Sequence, residues 1–152
     1  MRLRDLAEPY PTATLDTDAA TAVRAMAEAH RPGLIVLDTQ GRPSAVLPGP
    51  RILRAVIPTY IREDPALARV VDADAAERVF GRLSGMTVRD LIGPDAELRQ
   101  LPVLDGADTT MEAAALMAQQ GIHFVAVTEQ GRLLGALTVS HLLRHFLGAL
   151  ER

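Results

Sequence analysis

The chain has 152 residues, a formal net charge of −3, 48% apolar residues and no cysteine. That length and apolar share suit one compact domain or two small packed halves, and the lack of cysteine excludes disulfides, thiol chemistry and cysteine-bound metal. All 16 basic residues are arginine, which excludes Schiff-base and P-loop lysine chemistry, and the charges are interspersed with no basic face for nucleic acid.

The N-terminus, "MRLRDLAEPYP", lacks the apolar core of a signal peptide. No apolar run approaches the roughly 18 residues of a membrane helix. A cytoplasmic protein without membrane insertion is expected. "RLRDLAEP", residues 2–9, predicts a short turn, followed by an extended stretch near Thr14. A helix is predicted over Ala19–Ala29 with Asp18 as its N-cap, because Val23, Met26 and Ala27 fall at helical spacing. "GLIVLD" and "SAVLP" read as strands joined by the turn "DTQGRP", and a helix over Ile52–Ile57 closes this part.

Residues 58–86 read as an ordered helical connector, not as a Gly/Ser-rich linker. Asp64 caps "DPALARVVD", with Pro65 at the first helical position. "DAAERVFGRL" is amphipathic, with Ala76, Val79, Phe80 and Leu83 on one side. The earlier order then returns. "TVRDLIGP", residues 87–94, is a turn, and an extended stretch lies near Val103. A helix over Thr110–Gln119 follows, with Asp108 as N-cap. "HFVAVT" and "RLLGALT" are strands around the turn "EQGR". The closing helix runs from Val139 to about Leu150.

The chain therefore reads twice. "RLRDLAEP" echoes "TVRDLIGP", and the 42-residue-scale segment from Leu15 echoes the one from Leu104 in the order of its elements. The expected domains are a first repeat at 1–58, a connector at 59–86 and a second repeat at 87–152.

A tandem β-α-β-β-α repeat with "QGR" turns and a strand–threonine–helix junction resembles a CBS domain pair, the Bateman module named after cystathionine beta-synthase. The resemblance implies an α/β (α+β) fold of two repeats about a pseudo-twofold axis. In that family the last strand of each repeat ends in Gly-h-x-Thr/Ser-x-x-Asp, where h is apolar. The second repeat offers Gly135, Ala136, Leu137, Thr138, Val139, Ser140 and His141, with histidine in place of aspartate. The first offers Ala45, Val46, Leu47, Pro48, Gly49, Pro50 and Arg51, which matches none of the three key positions.

A helix N-terminus presents free N–H groups and a positive dipole end to a phosphate. Thr138 would add a hydroxyl, with the amides of Val139, Ser140 and His141 aimed the same way. The family's aspartate accepts both ribose hydroxyls. Neutral histidine accepts at one nitrogen and arginine at none, so the ribose contact is altered in both repeats. Arg51 remains a strong phosphate donor, while Pro48 and Pro50 remove donors from the first junction. The resemblance places the adenine base against Gly33 and Leu34, or against Ile122, His123, Phe124 and Val125, with Thr14 and Val103 at the neighbouring strand starts.

No Gly-x-Ser-x-Gly elbow, P-loop or His-Glu-x-x-His motif is present, and the four His show no metal-ligand spacing. An enzyme is not expected. The resemblance implies a homodimeric regulatory module binding AMP, ADP or ATP between the repeats and acting on an unidentified client, such as a transporter or metabolic enzyme. The alternative expectation is a nucleotide-free dimeric scaffold for protein–protein interaction.

Overall fold

The structure, a computed structural model, describes residues 1–93 and 99–151. Pro94, the last residue of the second "RDL" echo, and Arg152 lie outside the described residues. In chain order the elements are α1 (Leu3–Leu6), β1 (Thr12–Thr14), α2 (Ala19–Glu28), β2 (Gly33–Leu37), β3 (Pro43–Pro48), α3 (Gly49–Val56), α4 (Thr59–Glu63), α5 (Ala73–Gly81) and α6 (Val88–Ile92). Then come β4 (Arg99–Gln100), β5 (Val103–Asp105), α7 (Thr110–Gln120), β6 (Phe124–Glu129), β7 (Arg132–Thr138) and α8 (Val139–Leu150). Two 3-10 turns, Pro65–Val70 and Arg82–Gly85, flank α5.

The first sheet has strand order β1-β2-β3-β4 and the second β5-β6-β7. β1 runs parallel to β2, with Thr12 opposite Ile35, and β5 runs parallel to β6, with Val103 opposite Ala126. Parallel neighbours need a crossover, which α2 and α7 supply. β6 and β7 are antiparallel, with Phe124 opposite Thr138. Gln130 and Gly131 between them both have positive φ, 54° and 79°. That is the geometry of a two-residue hairpin turn whose twist matches the strands, and it makes "QGR" a turn signal.

Most predicted elements form, but the two "RDL" turns are the short helices α1 and α6, "DPALARVVD" holds a 3-10 turn, β4 is additional, and several helix starts differ. Asp18 caps α2 as expected, its carboxylate accepting the Thr21 N–H at 3.0 Å. Asp108 does not cap α7; its carboxylate accepts the Asp105 N–H at 2.9 Å and closes the preceding loop. Thr109 is the cap instead. Its hydroxyl accepts the Glu112 N–H and the Glu112 carboxylate accepts the Thr109 N–H, a reciprocal capping box. α3 begins at Gly49, earlier than Ile52, because Pro50 is tolerated in a first turn whose N–H groups lack intrahelical partners.

The chain forms two compact units. One unit comprises Met1–Tyr10, Thr39–Ser44 and Gln100–Arg152; the other comprises Pro11–Asp38 and Ala45–Arg99. The physical reason is where each leading helix buries its apolar side. Leu3 of α1 is buried with Ala113, Met117, Val125, Val127, Leu137 and Leu142. Its N–H donates to the Asp108 carbonyl and that of Arg4 to the Gly106 carbonyl. Val88, Leu91 and Ile92 of α6 are buried with Leu34, Val36, Leu47, Ile52 and Val56. The N–H groups of Val88 and Arg89 donate to the carbonyls of Thr17 and Leu15. Each "RDL" segment thus completes the core built by the other repeat.

Candidate functional site

The sequence directs attention to two strand–helix junctions, one in each unit. At the β7–α8 junction Thr138 is the N-cap, and its hydroxyl accepts the His141 N–H at 3.2 Å. The Val139 N–H donates to the His123 carbonyl at 2.9 Å. Two of the three amides expected to face a phosphate are therefore engaged within the chain. Among the described residues the Ser140 amide has no partner, and the Thr138 hydroxyl keeps its own proton to donate. Ser140 is exposed and Val139 packs partly on the core.

His141 adopts a placement the sequence did not indicate. Its side chain is mostly buried, and Nδ1 lies 3.3 Å from Oε1 of Glu8, with Arg144 Nη2 3.9 Å from the same oxygen. Nδ1 makes no hydrogen bond of good geometry, so proximity to the carboxylate is the contact. Glu8 is fixed by its backbone, which exchanges N–H···O bonds of 2.9 Å in both directions with Ala136. This crossing explains Gly135. A Cβ there would collide with the Glu8 carbonyl oxygen and stand 2.9 Å from its carbon. The motif glycine is needed for space, not for a special φ.

Phe124 does not offer both faces to a ligand. Tyr10, which is buried, stacks on it with ring centroids 5.0 Å apart and planes 15° from parallel. His123 beside it is exposed, Ile122 is partly buried against the core and Val103 is exposed at the start of β5. Thr138, Val139, Ser140, His141, His123 and Phe124 are thus brought together with Glu8 and Tyr10.

The β3–α3 junction is poorer in donors. Pro48 occupies the N-cap, Pro50 has no N–H, and the Gly49 N–H donates to the Pro32 carbonyl at 2.9 Å. Arg51 is half-buried, and Nη1 donates to the Ile92 carbonyl at 3.4 Å. Leu34 is fully buried in the core, so its side chain packs there and not on a ligand. Gly33 lets β2 approach β3, since a Cβ would come within 2.9 Å of the Leu47 carbonyl oxygen. Thr14 closes a local turn, its N–H donating to Thr17 Oγ1 at 2.9 Å.

Sequence reasoning missed Glu8 and Tyr10. A signal existed for Glu8: aligning "RLRDLAEP" with "TVRDLIGP" sets it against Gly93, a charge opposite a glycine whose φ is +74°.

The CBS domain family model matches residues 87–148. A CBS domain-containing protein of unknown function from Kribbella flavida is 41% identical, with 97% of this chain and 99% of that one covered and a TM-score of 0.86. The chain belongs to the CBS domain family. CBSX2 from Arabidopsis thaliana (19% identity, 99% and 97% covered, TM-score 0.69) and CBSX2 in complex with AMP (19%, 99% and 98%, 0.64) share its fold. None of the curated proteins matches the chain. The resemblance covers both repeats of this CBS domain pair, although the family model reaches only the second. Among the described residues no group of three His, Cys, Asp or Glu could hold a metal ion, and no helix is long and apolar enough to cross a membrane.

Proposed function

We propose that this CBS domain pair is a cytoplasmic regulatory module that binds an adenine nucleotide of the AMP, ADP or ATP class at the β7–α8 junction and modulates a separate partner protein. The observation carrying this reading is Thr138 at the start of a 12-residue helix, with its hydroxyl proton and the Ser140 amide available to an anionic oxygen. A helix N-terminus of that length favours negative charge. His123 is exposed beside the junction and can stack or hydrogen-bond. The AMP complex of CBSX2 supports the choice of nucleotide. Exposed Leu143, Leu147 and Leu150 form one stripe along α8, which supports a homodimer. Bound nucleotide would favour one arrangement of the module, and the partner would read that population.

A second reading, a nucleotide-free dimeric scaffold, draws on the other junction. There prolines remove donors and Arg51 is tied to a backbone carbonyl. Calorimetric titration of the full chain with AMP, ADP and ATP separates the two. Saturable heat that disappears in Thr138→Ala supports the nucleotide reading. Silent titrations with an unchanged melting temperature reject it in favour of the scaffold.

A further inference from the structure

The segment joining the repeats folds around a feature that the nucleotide reading does not use. The end of α3, α4, the 3-10 turn Pro65–Val70 and α5 border an open apolar hollow of about 210 Å³. Ile57, Ile61, Val71, Ala76, Val79 and Phe80 line it, and among the described residues no polar side chain joins them. An engineered apolar cavity of about 150 Å³ accepts benzene, so the space suits a somewhat larger apolar body. Phe80 and Leu67 remain substantially exposed, so apolar surface extends outward from the hollow.

Two guanidinium groups are held at the end of α3, whose C-cap residue Ile57 belongs to the hollow's lining. Arg62 donates from Nε to the Ile57 carbonyl at 3.3 Å and from Nη2 to Thr59 Oγ1 at 3.1 Å. Arg82 donates from Nη1 to the Val56 carbonyl at 3.4 Å. These are adjacent carbonyls at the C-terminal end of α3, where the helix dipole attracts cations. Each arginine carries five N–H donors, so among the described residues most have no partner after these bonds. Asp64 and Asp72, acidic residues of the same stretch, cap the segments that follow them, accepting the N–H groups of Ala66 and Ala75.

We propose that this hollow is a binding site for a small amphipathic carboxylate, its aliphatic body among Ile57, Ile61, Val79 and Phe80 and its carboxylate on Arg62 and Arg82. Apolar volume selects the body, and planar two-donor guanidinium groups select a carboxylate head. The proposal is independent of the nucleotide reading.

The test is titration of the full chain with sodium octanoate below its micelle concentration, followed by ligand-observed NMR and calorimetry, with n-octanol as the neutral probe. Saturable octanoate binding near one per chain is expected. Ala76→Leu, which fills the hollow, should abolish it; Ala76→Val serves the same purpose if A76L loses the parent's circular dichroism. The R62Q/R82Q double variant should weaken octanoate about tenfold while leaving octanol unchanged. Absence of saturable binding, or binding undiminished by filling, overturns the proposal. Equal loss of octanol and octanoate in R62Q/R82Q also overturns it, because the arginines would then act only as caps of α3. A parent that self-associates in sedimentation while A76L does not would show a second copy covering the hollow, and that too overturns it.

Discussion

Replacing Gly135 by alanine tests the geometry on which the β7–α8 junction rests. The new Cβ would stand 2.9 Å from the Glu8 carbonyl carbon and closer still to its oxygen, against 3.4 Å for ordinary contact. The Glu8 backbone must retreat by at least the difference, 3.4 − 2.9 = 0.5 Å. Retreat stretches both 2.9 Å hydrogen bonds that Glu8 exchanges with Ala136. Overpacking of this kind costs about 1–3 kcal/mol, and two weakened backbone bonds about 0.5–1 kcal/mol each. The expected loss is therefore about 2–5 kcal/mol. In urea, with a slope of about 2 kcal/mol/M, the midpoint should fall by about 1–2.5 M. Ala45 holds the corresponding position of the other sheet, buried at 2% exposure, and supplies the control. Ala45→Gly should cost about 1–2 kcal/mol, from backbone entropy and the loss of one buried methyl. A Gly135→Ala loss no larger than that of Ala45→Gly would refute the argument that the glycine is there for space.

Three further outcomes are expected. Thr138→Ala should lose about 1 kcal/mol as the α8 cap disappears, while Thr138→Ser keeps both stability and any nucleotide heat; thermal melts and calorimetry check each. Leu3→Ala, at a fully buried site, should cost about 2–5 kcal/mol in chemical denaturation, although Leu3 lies far in sequence from the core it completes. Glu8→Gln should change stability by less than about 1 kcal/mol, since its carboxylate is part-exposed. It should also tighten ATP binding in calorimetry, because a negative charge beside His141 is removed.

Much of the fold was legible because its signals are local. Asp18, Pro65 and the "QGR" turn act within a few residues, and the strands "GLIVLD" and "HFVAVT" are apolar runs that are buried as such. The leading "RDL" segments read as turns but form the short helices α1 and α6, and their docking is not encoded locally. Nothing within "RLRD" says that Leu3 will be buried beside Met117 and Leu142. Asp108 reads as a cap in the sequence because Asp and Thr are both good caps and the two are adjacent. The neighbour with Glu three residues on formed the box. At the site, Thr138 followed from its motif. The engagement of the Val139 amide by His123 and the stacking of Tyr10 on Phe124 depend on tertiary packing that no spacing encodes.

The two junctions are unequal in their residues but share one mechanical arrangement. The position three past the cap carries a cationic or ionisable side chain in each, Arg51 in α3 and His141 in α8. Each is met by the end of a leading helix. Arg51 donates to the carbonyl of Ile92, the last residue of α6. His141 faces the carboxylate of Glu8, two residues beyond the end of α1. In the first case a backbone carbonyl does the work, and Gly93 is free to take the positive φ that ends α6. In the second, Glu8 supplies a full charge, and its backbone crosses β7 where Gly135 makes room. Replacing a carbonyl by a carboxylate leaves a formal negative charge beside the helix end proposed to receive a phosphate. Nucleotide binding there must reposition Glu8 or tolerate its charge. Under the proposed function, displacement of Glu8 by the nucleotide would couple the leading segment to occupancy of the junction and give a partner a change to read.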